Sequence, residues 1–212
     1  MVGRPHANRE LYYEEREIDS WVLELAPRLS GSDPEAVEDA LLFLERDPYF
    51  FRSGYARERV ARGVARAELT PTQKARARAV VLSTVDAGRH CPLPGVGKLA
   101  RAAADNALRR ELRARLHHRD AAAARLALRV LVSVRKPGLA AEDIAAARAL
   151  VLADAGRWQW LSPSVARLAT YCWSDEWEAE LRRLVPYHGP ERAAAKRLLA
   201  AADQRRGRRP AP

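Results

Sequence analysis

The chain has 212 residues, of which 48% are hydrophobic and 30% charged, and these values exclude a wholly disordered protein. Its net charge of +10 favours an acidic partner. Two cysteines are too few for a disulfide framework, the first residues lack the apolar segment of a signal peptide, and no apolar run is long enough to span a membrane, so we expect a cytoplasmic protein.

The N-terminal part of the sequence predicts two capped helices. After a loose leader over residues 1–7, Asn8 is placed to cap a helix that Pro27 should kink or end. Asp33, followed directly by proline, is typical of a second helix start, and this helix is expected to stop at Asp47.

The middle of the sequence contains its cleanest local signal. Thr70-Pro71-Thr72-Gln73 is a capping box with proline at the first helical position. Gly88 suits the end of that helix. Residues 89–97 are expected to form the longest break inside the chain, and a single long helix is expected from Lys98 to His118.

The C-terminal half continues the same pattern of short helices. Their starts are expected near Asp120, residue 141, Ser162, Ser174 and Pro190. The basic tail, residues 205–212, has the composition of a disordered segment.

These elements together predict an all-α fold. About ten helices form antiparallel hairpins, and two-helix units of roughly 36 to 50 residues favour a HEAT-like α-solenoid or a superhelical bundle. We expect one helical-repeat domain over residues 8–204.

A segment dense in aromatic residues supports this fold. Residues 43–55 read FLERDPYFFRSGY, and LTPTQ follows after a helix. This pattern resembles uncharacterised bacterial HEAT-like helical proteins, in which the segment crosses from one helix to the next. The resemblance implies a helical-repeat fold and no catalytic residue. The aromatic side chains are therefore expected to act as structural wedges: Phe43, Tyr49, Phe50, Phe51 and Tyr55.

The sequence motifs that suggest a catalytic or ligand-binding site each lack a feature that such a site needs. Gly95 to Ala100 matches the G-x-G-x-x-A form of a dinucleotide fingerprint, but no strand precedes it, so we expect a flexible connector. His117 and His118 point about 100° apart on a helix and cannot share a metal. The sequence therefore predicts no catalytic residue, no metal site and no cofactor, and it favours a protein that is not an enzyme.

Candidate binding residues are arginines that share a helical face and tryptophans in a predicted loop. They are Arg59, Arg62 and Arg66 in one group, Arg109 and Arg113 in a second, and Trp158 and Trp160 in the loop. If the arginine faces are concave they form a phosphate-binding stripe, and if they point outward they are solvated surface. Trp173 and Trp177 are expected in the core.

The leading functional hypothesis is a non-catalytic protein-binding or scaffold module with a protein partner and no membrane association. The first alternative is a nucleic-acid-binding HEAT-like protein, which in an enzymatic version would resemble HEAT-like DNA glycosylases, although their motif cannot be matched here residue by residue. The second alternative is a toxin-immunity-type protein.

Overall fold

The computed structural model describes residues 20–31, 33–47, 53–88, 93–134, 141–157 and 163–207. Throughout these ranges the regular secondary structure is helical and no strand occurs, so the all-α prediction is confirmed. The helices are α1 (20–30), α2 (Pro34–Arg46), α3 (Ser53–Val64), α4 (Pro71–Asp86), α5 (Leu93–Ala102), α6 (Asn106–Ala114), a 3-10 helix (Arg115–His117), α7 (Ala121–Ser133), α8 (Ala141–Arg157), α9 (Pro163–Cys172), α10 (Asp175–Leu184) and α11 (Pro190–Arg205).

The described residues form two compact units, drawn from Met1–Leu112 with Ser133–Arg135 and from Arg113–Val132 with Lys136–Pro212. In the first unit, α3 packs against α2 and α5, and α4 contacts the same two helices. In the second, α11 packs against α8 and α10, and α9 lies against α8. The single domain and the solenoid arrangement stay predictions.

Asp33, Thr70 and Ser174 cap helix starts as predicted, whereas the predicted cap Asn8 lies outside the described residues. Asp33 accepts a hydrogen bond from the backbone of Glu35 at 3.0 Å, and Thr70 and Gln73 form both bonds of the capping box, at 3.3 and 3.0 Å. Ser174 caps α10 by accepting from the backbone N–H of Trp177 at 3.2 Å. Each bond satisfies a backbone donor that the first turn of a helix leaves unpaired.

Pro27 does not end the first helix. The helix continues to residue 30, and the Gly31 N–H then donates to the Pro27 carbonyl at 3.1 Å. Leu25 and Leu29 are each only 1% exposed, so continuing the helix buries a second leucine, which is worth about 1.5–3 kcal/mol. That gain offsets the hydrogen bond that proline cannot make.

The predicted long helix from Lys98 to His118 is wrong, and so is most of the break before it. Residues 93–97 belong to α5, and the chain leaves the helix between Ala102 and Asn106. Asp105 causes the new start, because its carboxylate accepts the Leu108 N–H at 2.6 Å. It also pairs with Arg78 of α4 at 2.6 Å.

Two glycines that suggested a connector instead lie inside α5. A Cβ on Gly95 would stand 2.8 Å from the backbone oxygen of Glu58, and a Cβ on Gly97 would stand 2.9 Å from the Ser133 hydroxyl oxygen. Glycine therefore permits α5 to lie directly against α3, which a flexible connector would not require.

Polar contacts join α2 to α4 in the first unit. Arg76 makes a two-pronged ion pair with Glu45, with both N–O distances at 2.7 Å, and it also pairs with Glu38. Gln73 donates to Glu38 at 2.7 Å. The Arg76 hydrogen bond holds the pKa of Glu45 below its ordinary value.

The aromatic segment is described only at its two ends. Phe43 is half-buried, and its ring lies 5.3 Å from that of Trp21. Tyr49, Phe50 and Phe51 lie outside the described residues. Tyr55 differs from the expectation of a structural wedge, because 74% of it is exposed on α3.

The C-terminal helix reaches the predicted tail. Arg205 is the last residue of α11, and Arg206 and Gly207 form a turn, while residues 208–212 lie outside the described chain. None of the described helices combines the length and apolarity needed to cross a bilayer.

Candidate functional site

The first arginine group is not a continuous helical stripe. Arg59 is exposed on α3, and Arg62 pairs with Glu58 one turn before it. Arg66 lies in the turn after Val64, where α3 has already ended, so it does not share the helical face that the spacing predicts.

The second arginine group lies on α6 as predicted, but its side chains have intramolecular partners. Arg109 donates to the amide oxygen of Asn106 at 3.1 Å. Arg113 lies 3.4 Å from Asp143, whose side chain is only 6% exposed. Pairing of this kind serves packing and leaves less charge for a phosphate partner.

The loop tryptophans Trp158 and Trp160 lie outside the described residues, so the structure does not place them. His90 and Cys91 also lie outside. His117 is 3.8 Å from Asp143. Among the described residues, no cluster of three His, Cys, Asp or Glu side chains has the arrangement to hold a metal ion.

The Gly95–Ala100 motif lacks the surroundings of a dinucleotide fingerprint. It lies within α5, no strand occurs in the described residues before it, and Gly95, Val96 and Gly97 are buried. Cys172 is the other residue with reactive potential. Burial raises the pKa of its thiol to about 11, which keeps it protonated at neutral pH.

The second unit contains an apolar groove between α9 and α11, which we call the α9–α11 groove. It has a volume of about 200 Å³. The wall on α9 carries Ala166, Ala169 and Thr170, and the wall on α11 carries Leu198, Ala201 and Ala202. The alanines on each wall, Ala166 and Ala169 on α9 and Ala201 and Ala202 on α11, leave the space that forms the groove.

One end of the groove is aromatic and positively charged. Trp173, Arg205 and Arg206 complete its lining. The Arg206 guanidinium lies 5.9 Å from the centre of the Trp173 ring, within the range of a cation–π contact. An apolar ligand in the groove would therefore meet an indole ring and two guanidinium groups at the same end.

Glu178 fixes the positions of the Arg206 guanidinium and the Trp173 indole. It lies 2.7 Å from Arg206 and accepts the indole N–H of Trp173 at 3.3 Å. Arg182 donates to its other oxygen at 2.7 Å. The Arg182 hydrogen bond first, then those from Arg206 and Trp173, lower the pKa of Glu178 to about 2.

Arg148 of α8 holds the corner that presents Trp173. It donates to the Cys172 carbonyl at 3.0 Å and to the Ser174 hydroxyl at 2.8 Å, so it bonds on both sides of Trp173. Its guanidinium also lies 5.5 Å from the centre of the Trp177 ring. Trp177 meets Trp173 edge to face, with centroids 5.3 Å apart. The groove therefore has a preorganised aromatic end.

Sequence reasoning placed Trp177 correctly, since it is 2% exposed, but Trp173 is half-buried and lines the groove. The groove itself was missed. The available signal was alanine three positions apart on α9, at Ala166 and Ala169, and the alanine runs 193–195 and 200–202 on α11, but alanine is also typical of ordinary helix packing.

Comparisons with protein-family models, with curated proteins and with solved structures gave no match. The resemblance to HEAT-like repeat proteins therefore stays a prediction.

Proposed function

We propose that this protein is a non-catalytic protein-binding module whose docking surface is the α9–α11 groove. The observation that carries the proposal is an open apolar groove that is aromatic at one end, where Trp173 donates a hydrogen bond to Glu178 and its ring contacts that of Trp177. Aromatic residues in desolvated pockets, together with arginine, are enriched among residues that dominate binding energy in protein interfaces.

The dimensions support a peptide side chain as occupant. An apolar cavity of about 150 Å³ accepts benzene, so a groove of about 200 Å³ accommodates one large aliphatic or aromatic side chain. The alanines of both walls allow the backbone of a bound segment to come close. A helix that inserts its apolar face between two helices is an established recognition mode.

Three of the five predicted arginines have intramolecular partners, which favours this function over nucleic-acid binding. Arg62 and Arg113 each pair with a carboxylate, and Arg109 bonds to an amide. A phosphate backbone would have to compete with these partners. Proteins that bind DNA mainly through phosphates rely on basic side chains that are free to displace counterions.

A peptide-display selection tests the proposal. A displayed library of amphipathic helical segments of mixed charge is panned against the immobilised wild-type protein. The selection is repeated with the Ala201→Phe variant, in which the phenylalanine side chain fills the groove from α11. Ala79→Phe places the same side chain on an exposed position of α4 and is the matched control. Thermal melting of both variants confirms that each remains folded.

We expect peptides with a large apolar anchor to be enriched on wild type and on Ala79→Phe, and to be lost on Ala201→Phe. Equal enrichment on all three proteins would show that the groove is not the docking surface. Retardation of duplex DNA or RNA that weakens steeply with salt, without any peptide enrichment, would support the nucleic-acid alternative instead.

A further inference from the structure

We infer that the α9–α11 groove selects an acidic amphipathic helix, in which a large apolar anchor is accompanied by a carboxylate that meets Arg205. This inference rests on the proposed function and names the partner's chemistry. The groove lining offers its occupant an apolar surface and, at one end, two guanidinium groups, of which Arg206 is paired with Glu178. A partner segment that is apolar and acidic matches both properties.

The charged end leaves one cation without a fixed counterion. Glu178 pairs with both Arg206 and Arg182. Asp203 adds a weaker electrostatic attraction to Arg182. Arg205 lines the groove, is exposed, and forms no ion pair with another described residue. It therefore supplies the charge that a partner can neutralise.

The helix dipole does not cancel this charge. Arg205 is the last residue of α11, where the carbonyl groups carry a partial negative charge equivalent to about half an electron. Part of that is already satisfied, because the Arg206 N–H donates to the Ala202 carbonyl at 3.1 Å. Because the partial charge is smaller than the unit charge of the guanidinium, the balance at the mouth of the groove stays positive.

Arg206 is a second basic group that can orient a bound carboxylate. Its ion pair with Glu178 holds the guanidinium over the Trp173 ring, and only about a third of the Arg206 side chain is exposed. A guanidinium has five N–H donors, and one of its nitrogens faces Glu178. The others can meet a second carboxylate without breaking the existing pair. Its fixed position reduces the conformational entropy that binding must remove.

Fluorescence anisotropy with three labelled synthetic helices tests the inference. The first has leucine anchors and glutamate flanks, the second replaces every glutamate with lysine, and the third replaces the anchors with alanine. Each is titrated with wild type and with Arg205→Glu. Lys196→Glu, on an exposed position of the same helix outside the groove lining, makes the same change in net charge and is the matched control.

At low salt we expect the glutamate peptide to bind wild type about tenfold more tightly than the lysine peptide, and the alanine peptide not to bind. Arg205→Glu should weaken the glutamate peptide about fivefold, the size of one exposed charge contact. Lys196→Glu should change it by less than about twofold, because the charge there lies away from the groove.

Three results would overturn the inference. Equal affinity for the glutamate and lysine peptides, with binding still lost in Ala201→Phe, would leave the groove as a docking surface but remove its charge preference. Equal losses in Arg205→Glu and Lys196→Glu would show that net charge, and not the groove mouth, attracts the peptide. No binding of either leucine peptide to wild type would contradict both proposals.

Discussion

Replacing Gly95 by alanine should destabilise the protein, although it removes a glycine from a helix. Gly95 is the third residue of α5, and a glycine inside a helix normally costs about 1 kcal/mol relative to alanine. Helix propensity alone therefore predicts a more stable variant. The packing of α5 on α3 predicts the opposite sign.

The size of the effect follows from the contact with Glu58. The added Cβ would lie 2.8 Å from the Glu58 carbonyl oxygen and 3.0 Å from its Cα. Both are backbone atoms, so relief requires the two helices to separate and not a side chain to rotate. Overpacking of this kind costs about 1–3 kcal/mol. After a propensity gain of about 1 kcal/mol, we expect a net loss of up to about 2 kcal/mol.

Gly156→Ala is the matched control. Gly156 lies near the end of α8, and a Cβ there would meet its nearest neighbour at 3.5 Å, an ordinary van der Waals contact. Alanine should therefore stabilise the protein by about 0.5–1 kcal/mol. Urea unfolding followed by circular dichroism measures both variants. If Gly95→Ala is as stable as Gly156→Ala, the close approach of α5 to Glu58 is wrong.

Three further changes test the contacts that hold the second unit and the helix starts. Glu178→Gln should cost about 1 kcal/mol. Because the pKa of Glu178 is lowered to about 2 from an ordinary 4.5, this difference from wild type should be full above pH 4.5 and vanish as the pH falls towards 2 in unfolding measurements; a difference independent of pH would contradict the ion pairs. Arg148→Met keeps the stem but loses two hydrogen bonds, so unfolding should become easier by about 2–3 kcal/mol, with a changed near-UV circular dichroism of the tryptophans. Thr70→Ala should cost about 1 kcal/mol in a thermal melt, whereas Thr72→Ala, exposed in the same turn, should cost nothing.

Those parts of the fold that depend on neighbours in sequence could be predicted from the sequence. Asp33, Thr70 and Ser174 cap their helices as expected, because a cap is decided within about four residues. The prediction of a connector where α5 lies was wrong because α5 depends on a contact between residues far apart in the sequence. Gly95 contacts Glu58, 37 positions earlier (95 minus 58), and only the packed unit shows that glycine is needed there for close approach.

The candidate site was not predictable for a similar reason. Each wall of the groove carries two alanines, which have no distinctive chemistry, beside Thr170 on α9 or Leu198 on α11. The groove depends on how far apart α9 and α11 lie. Trp173 was expected in the core because it is four residues from Trp177. The two rings touch, but Trp177 is buried on α10 whereas Trp173 precedes the cap of that helix and stays half-buried.

The number of arginines in the sequence does not locate the binding surface, because several of them have structural roles. Arg76 joins two helices through Glu45, and Arg148 bonds to a carbonyl and a hydroxyl at a helix corner. Such residues contribute to the net charge of +10 but offer little of it to a partner. Guanidinium groups suit this structural role because their donors form a fixed planar fork. The informative arginine is therefore one that lacks an internal partner and borders an apolar surface, and Arg205 meets both conditions.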